Sequence, residues 1–223
     1  MKASYLIKHL VGTLLFFTIL FISAGRIDYW QGLIYVFIGL IMVVLNYTVL
    51  RIDPELLTER SKPGEGTKQW DKIILGLSFL TTIVMYITAG LDSGRYKWSP
   101  EFHWSIYVLG IILTIIGQLL FLIAQKQNKF FSSTVRIQKD REHIVCETGL
   151  YKIVRHPAYL GSIIQVLGFP LLFGSFWSII PISMLIILFI TRTNLEDKTL
   201  KNELKGYLEY SHKTQYKIIP FIW

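Results

Sequence analysis

Apolar residues run along this chain in six blocks, at about 5–24, 30–50, 72–91, 104–125, 156–173 and 176–191. A helix needs roughly 20 apolar residues to cross the ~30 Å hydrocarbon core of a bilayer, and the first four blocks have that length. The last two are shorter and only Gly174-Ser175 parts them, which predicts a tight antiparallel helical hairpin. Lys2 precedes the first block and Lys8 stands near its start; the block is longer than the apolar core of a secretion signal and reads as a spanning helix. The pattern predicts an all-α, polytopic membrane helical bundle with about six apolar segments, forming one unit over residues 1–223. Five spans with one re-entrant piece is the neighbouring solution.

The polar positions concentrate in two long pieces, 126–155 and 192–223, which flank the hairpin and can meet beneath it. From Leu195 to Lys213 the tail is polar and helix-forming, with Gly206 as an interruption. Leu195, Thr199/Leu200, Leu204 and Leu208 recur at helical spacing there. This predicts a C-terminal helix lying on the membrane surface and capping the mouth of the bundle. Pro63-Gly64-Glu65-Gly66 predicts a turn in the loop 51–71.

Composition agrees with this pattern: 52% of the 223 residues are hydrophobic and 17% charged, against roughly 25% charged in soluble domains. The net charge of +8 sits in the loops, and its distribution sets orientation. Lys and Arg number two at the N-terminus (Lys2, Lys8), one after the first block, four in 51–71, two in 92–103, seven in 126–155, none at 174–175 and six from Arg192 onward. Rich and poor loops alternate as the positive-inside rule requires for six spans with both ends in the cytoplasm. No soluble basic domain is left over to hold nucleic acid. Cys146 is the single cysteine, which excludes an internal disulfide or a cysteine metal cluster; no metal site is predicted.

Candidate chemistry gathers at the hairpin. Gly149-Leu-Tyr-Lys-Ile-Val-Arg-His-Pro-Ala-Tyr159 opens its first helix, and ionisable groups at a membrane boundary are costly unless they face a cavity, a partner or water. Pro157 suits a first helical turn and Arg155 suits a positive-inside anchor, so neither is informative alone. Tyr151 and Tyr159 suit an interfacial aromatic belt. At the other end of the hairpin Arg192 and Glu196 share a helix face, with a snorkelling arginine and its salt-bridged partner as the plain alternative; Asp197 follows directly. Antiparallel helices put residues near 156 and near 192 at one depth, so two ionisable ends converge.

Three segments together resemble a known family: His143-Ile-Val-Cys-Glu-Thr-Gly-Leu-Tyr151, Arg155-His-Pro-Ala-Tyr159-Leu-Gly161 and Arg192-Thr-Asn-Leu-Glu196-Asp197. They resemble the isoprenylcysteine carboxyl methyltransferases and the related phospholipid methyltransferases, integral membrane enzymes that use S-adenosyl-L-methionine. The tail segments Leu204-Lys-Gly-Tyr207-Leu-Glu-Tyr210 and Tyr216-Lys-Ile-Ile-Pro220-Phe-Ile-Trp223 look like the prokaryotic branch, as do Asp28–Gly32, Asp53–Leu56, Trp70-Asp71 and Asn128–Ser132. The likeness is dense over 126–223 and patchier over 1–125, which makes 126–223 a methyltransferase-like cofactor-binding core behind N-terminal spans.

The resemblance implies that His143, Ile144, Val145, Cys146, Tyr151, His156, Pro157, Ala158 and Tyr159 line a cofactor pocket. It gives Glu196 the amino-acid end of the cofactor and Arg192 the methyl acceptor, and both are expected in catalysis. Arg136 stands where the family often has glutamine or another polar residue, and is set aside; Asp197 stands where eukaryotic members commonly have a second glutamate. The acceptor implied is lipophilic and enters from the bilayer, with the site facing the cytoplasm of a prokaryotic cell membrane. Two other classes fit parts of the pattern. NADPH-dependent sterol-type reductases share a Gly-aromatic…Arg-His-Pro-x-Tyr segment, but here Leu160-Gly-Ser-Ile-Ile164 follows in place of an acidic residue. A non-catalytic relative would be expected to have lost His156, Arg192 or Glu196, and all are present. Phospholipid N-methylation is the third possibility.

Overall fold

The computed structural model describes residues 2–50, 54–61 and 65–223, with side chains from Val11 onward apart from those at 47, 49, 54, 58 and 61. Part of the turn expected at Pro63-Gly64 lies outside the described residues, as does Asp53 of the Asp53–Leu56 segment. The described residues are all-helical in their regular elements. Helices α1 (Lys2–Ala24), α2 (Trp30–Leu45), α3 (Pro54–Ser61) and α4 (Gln69–Ala89) are followed by α5 (Trp104–Gln127), α6 (Pro157–Phe173), α7 (Ile179–Glu203) and α8 (Tyr207–Lys213). Wider, π-type turns extend α2 over Asn46–Leu50 and α4 over Gly90–Tyr96.

Three helical stretches are long and apolar enough to cross a membrane: Gln69–Tyr96, Trp104–Gln127 and Ile179–Glu203. Val11–Ala24, Trp30–Leu45 and Pro157–Phe173 are apolar but shorter. At ~1.5 Å per residue the 17 residues of α6 reach less than the ~30 Å core. The six blocks of the sequence thus appear as three full-length helices and three shorter ones. Together they make a membrane-embedded bundle.

The hairpin differs from its expected form. Helix α6 ends at Phe173, with Gly174 in the left-handed region (φ 65°), and α7 does not begin until Ile179. The connection therefore covers 174–178 in place of two residues, and Asp92 holds it. That fully buried carboxylate accepts from Ser99 N (2.7 Å), Ser99 Oγ (2.7 Å), Ser175 Oγ (2.6 Å) and Trp177 N (3.3 Å). The loop after α4 is thereby fastened to the turn between α6 and α7, at the end of the bundle away from the polar C-terminal pieces.

The closest partner of α6 is α5, not α7. A Cβ on Gly117 would stand 2.3 Å from Gln165 N, and one on Gly110 2.3 Å from Leu172 N. A Cβ on Gly161 or Gly168 would meet the carbonyls of Gly117 and Gly110 at 2.7 Å. Glycines seven residues apart on both helices let the two backbones touch. In lipid, where apolar burial gives no drive for helix association, such close backbone packing supplies dispersion contact instead. The α5–α6 pair is the rigid frame on which the 149–159 segment is mounted.

The polar end of α7 also departs from expectation. The surface helix expected from Leu195 to Lys213 is not separate from the hairpin: α7 runs on to Glu203, and the interruption expected at Gly206 (φ 86°) turns the chain into α8. Leu204, Tyr207 and Tyr210 form a small apolar cluster with Ile137, Val145 and Leu200, so α8 folds against the 137–145 segment. Leu208 faces outward, 53% exposed.

Candidate active site

A cavity of about 380 Å³ opens at this polar end, between the 128–146 segment, α5, α6, α7 and α8. That volume lies within the ~300–1,000 Å³ usual for small-molecule sites. His143, Ile144, Val145, Cys146, Tyr151, His156, Ala158, Tyr159, Arg192 and Glu196 all line it. Pro157 is the expected residue that does not: it is buried at the first position of α6, where it starts the helix.

The hairpin arithmetic accounts for the convergence. Tyr159 Oη on α6 donates to Glu196 Oε2 on α7 at 2.7 Å, and His156 Nε2 lies 3.3 Å from Asp197 Oδ1. Arg155 makes a two-pronged ion pair with Asp197, Nε to Oδ1 at 2.7 Å and Nη2 to Oδ2 at 3.1 Å, both side chains 3% exposed. Its Nη1 donates to the carbonyls of Thr214 (2.8 Å) and Gln215 (2.7 Å). The backbone amides of Arg155 and His156 donate to Tyr216 O and Lys217 O. Tyr207 Oη donates to Asp197 Oδ1 at 3.1 Å, and Lys201 Nζ approaches its other oxygen at 3.2 Å. Asp197 is thus the knot that ties α7 and the C-terminal segment to the start of α6, and Arg155 is no simple membrane anchor. Its carboxylate has enough partners to remain charged in a buried position.

Arg192 and Glu196 share a face of α7 but do not pair with each other among the described residues. Arg192 Nε donates to Asp71 Oδ1 at 2.7 Å, and its Nη2 donates to Asp71 Oδ2 (3.3 Å) and to Ser133 O (3.0 Å). Its guanidinium also lies over the Tyr159 ring at 5.7 Å. Asp71, at the start of α4, is fully buried and accepts in addition from Val135 N at 2.8 Å. This arrangement occupies two of the three guanidinium nitrogens of Arg192.

Arg136, set aside on sequence grounds, belongs to the wall of the cavity. Glu59 holds it through Nε (2.9 Å) and Nη2 (2.8 Å), and Asp140 holds Nη1 at 2.8 Å. These two carboxylates keep its guanidinium firmly charged, although its side chain is almost wholly buried. Arg60 from α3, Phe130 and Phe131, and Tyr207 and Tyr210 from α8 add to the lining residues that had no role assigned from sequence. The tyrosines, the two phenylalanines and Asp71 stood inside segments already marked by resemblance; Arg60 carried no signal beyond its charge.

Burial pushes the Tyr151, Tyr207 and Tyr210 hydroxyls up, so they stay protonated and act as donors. Tyr151 Oη donates to Ala124 O at 3.3 Å and Tyr210 Oη to Tyr151 O at 2.6 Å. His143 stacks on Phe130 at 4.5 Å between ring centroids and accepts from Gln138 N through Nδ1 at 3.4 Å. Burial first, and then the charges of Arg136 and Arg141, push its imidazole down from 6.5 to about 4. A folded-state value below the unfolded one means that the folded protein binds fewer protons between about pH 4 and pH 6.5. The His143 contribution is therefore constant above about pH 6.5 and becomes progressively destabilising as pH falls toward 4. An NMR titration of the imidazole carbons should give one midpoint near 4 that disappears in His143→Gln. A His143 midpoint at 6 or above would overturn the neutral, acceptor role.

The fold and cavity define a class: a membrane-embedded helical protein with a polar, small-molecule-sized site at one end of its bundle. Residues 108–202 match the Isoprenylcysteine carboxyl methyltransferase (ICMT) family. A protein-S-isoprenylcysteine O-methyltransferase of Schizosaccharomyces pombe is 33% identical over 172 residues, covering 69% of this chain and 72% of that protein. The enzyme of that name from Saccharomyces cerevisiae is 34% identical over 123 residues, 52% of this chain and 49% of its own. Protein-S-isoprenylcysteine O-methyltransferase B of Arabidopsis thaliana is 27% identical over 123 residues, 54% of this chain and 62% of that protein. The chain belongs to the isoprenylcysteine carboxyl methyltransferase family. It spans about half the length of the Saccharomyces relative.

Proposed function

We propose that the protein transfers a methyl group from S-adenosyl-L-methionine to the carboxylate of an isoprenylcysteine-type acceptor at the membrane–cytoplasm boundary. The observation that carries this reading is the cavity itself. A carboxylate (Glu196) stands in it beside arginines and phenolic donors, at the end of a membrane bundle whose relatives are named for that reaction. The donor set fits the cofactor: Glu196 suits an ammonium, while His143, Tyr207, Tyr210 and the backbone of 143–146 offer neutral groups for a ribose and a base. When bound, S-adenosylmethionine supplies a sulfonium methyl whose displacement by a carboxylate oxygen forms a C–O bond, leaves the electron pair on sulfur and moves no proton.

The residues then have positioning to do and no strong base to provide. Tyr159 orients Glu196 through its 2.7 Å bond. Arg192, held by Asp71, presents Nη1 toward the acceptor. Phe121, Phe131 and Phe189 give the cavity an apolar side suited to a lipophilic body. Charge-rich loops at this end support a cytoplasmic-facing site under the positive-inside rule. The tail's likeness to the prokaryotic branch favours a prokaryotic cell membrane, although the relatives matched come from yeasts and plants. Those relatives bear O-methyltransferase names, which favours neither the reductase reading nor phospholipid N-methylation.

Calorimetric titration of the detergent-purified protein tests the proposal. S-adenosylmethionine should bind, and Glu196→Ala should weaken it by more than about tenfold, the effect of losing one hydrogen bond to a charged group. Binding of NADPH with no response to S-adenosylmethionine would sink the reading.

A further inference from the structure

Four arginines line the cavity, and their partners differ in a way that singles one out. Arg136 is neutralised by Glu59 and Asp140, Arg155 by Asp197, and Arg192 by Asp71. Arg60 has no carboxylate partner among the described residues. Its guanidinium lies over two aromatic faces, 5.1 Å from the Phe131 centroid and 5.9 Å from that of Phe121. Its Nε is shielded from solvent and has no hydrogen-bond partner among the described residues.

Aromatic faces attract a guanidinium but accept none of its in-plane N–H groups. A shielded donor left unpaired is unfavourable, and a cation with no counter-ion is more so. The two rings against the Arg60 guanidinium, Phe121 from α5 and Phe131, both line the cavity. The helix that carries it, α3, ends close to the 132–133 segment: Ser133 Oγ donates to Arg60 O at 3.1 Å, and Ser133 O in turn accepts from Arg192. Arg60 and Arg192 therefore flank one short piece of chain and face the same cavity.

Resting on the methyltransferase reading above, we propose that Arg60 is the receptor for the methyl acceptor's carboxylate, completing its two in-plane donor positions on that anion. Its setting fits a carboxylate on a lipophilic body: a half-buried planar cation against Phe121 and Phe131. The chemistry recognised is a carboxylate, and the cofactor's own amino-acid end carries one as well. The cofactor is assigned elsewhere because its zwitterionic end has Glu196, on the α7 side of the cavity. With Arg192 restrained by Asp71, a carboxylate held on the Arg60 fork keeps an outer oxygen lone pair free to attack the transferred methyl group.

The probe is an N-acetylated S-farnesylcysteine in two forms, the free carboxylate and the primary carboxamide. Its binding is measured in detergent with S-adenosylhomocysteine held saturating. Wild type should prefer the carboxylate by about 10- to 100-fold, the range for a hydrogen bond to a charged group. Arg60→Gln should lose that preference while binding S-adenosylmethionine as wild type does, and this same titration reports that the variant is folded. Arg60→Lys keeps the charge without the fork, so it should retain part of the preference, and it serves as the test should Arg60→Gln fail to fold. A preference that survives Arg60→Gln, or a total absence of one from wild type, overturns the proposal. Loss of S-adenosylmethionine affinity with the acceptor preference intact assigns Arg60 to the cofactor's carboxylate and overturns it too. Wild type that binds no S-adenosylmethionine instead defeats the methyltransferase reading, a separate outcome.

Discussion

Arg192→Ala combined with Asp71→Asn is expected to bind S-adenosylmethionine within about threefold of wild type, a difference below about 0.7 kcal/mol, and to lose methyl transfer by about 10²-fold. The second substitution is needed because of the structure. Arg192→Ala alone strips the fully buried Asp71 of its cation, and removing one partner of a buried pair costs about 3–5 kcal/mol. The single variant thus confounds instability with chemistry. Asparagine at 71 removes the charge and keeps a carbonyl to accept from Val135 N. What the double variant then lacks is the group that faces the acceptor. A displacement at carbon depends on in-line alignment, and a misplacement of about 1 Å is enough for a loss of that size. Single-turnover assays with saturating cofactor would check it. Recovery of turnover in the double variant would show that Arg192 serves only to satisfy Asp71. A parallel fall in cofactor affinity would show that Arg192 and Glu196 do not divide their roles between acceptor and cofactor.

Asp197→Ala should be the most damaging single change to the fold near the site. It leaves Arg155 buried with only carbonyl partners and frees His156, Tyr207 and Lys201 of their common acceptor. The expected loss is about 3–5 kcal/mol, read as a lowered midpoint of thermal unfolding in detergent. Because Arg155 also holds the carbonyls of Thr214 and Gln215, the C-terminal segment should be released first. Limited proteolysis beyond Lys213 should accelerate before the bundle melts. Replacing both partners, Arg155→Met with Asp197→Leu, should cost less than the sum of the two single changes, since no uncompensated charge remains. Additive losses would mean that the pair is not coupled in this way.

These two experiments concern ion pairs that the sequence did not disclose, and the reason is the same in both. Hydropathy and helical periodicity are one-dimensional signals. They suffice to place the helices, and α5, expected over 104–125, forms over Trp104–Gln127. They also suffice to bring residues near 156 and near 192 to one depth, because antiparallel helices joined by a short turn have no other register. The pairs Tyr159–Glu196 and His156–Asp197 follow from that register. Which helices touch is a different matter. The glycines at 110, 117, 161 and 168 are visible in the sequence, but only the backbone contact between α5 and α6 shows that they serve each other.

The site divides along the same line. The wall made by 143–159 and by the end of α7 could be read residue by residue, because an ionisable cluster at a membrane boundary demands a reason and its motif is contiguous. The opposite wall could not. Asp71 meets Arg192 across 121 residues of chain, and Arg136 meets Glu59 across 77. An ion pair's energy depends on separation and burial in space, neither of which a sequence spacing of that size constrains. The sequence by itself determined the helical membrane class, the depth at which the polar groups gather and the family. The tertiary structure alone decided which charges are already satisfied, and so left Arg60 as the arginine of the cavity wall with no carboxylate partner among the described residues, since neutralisation in a low-dielectric site is settled by the atoms within a few ångströms.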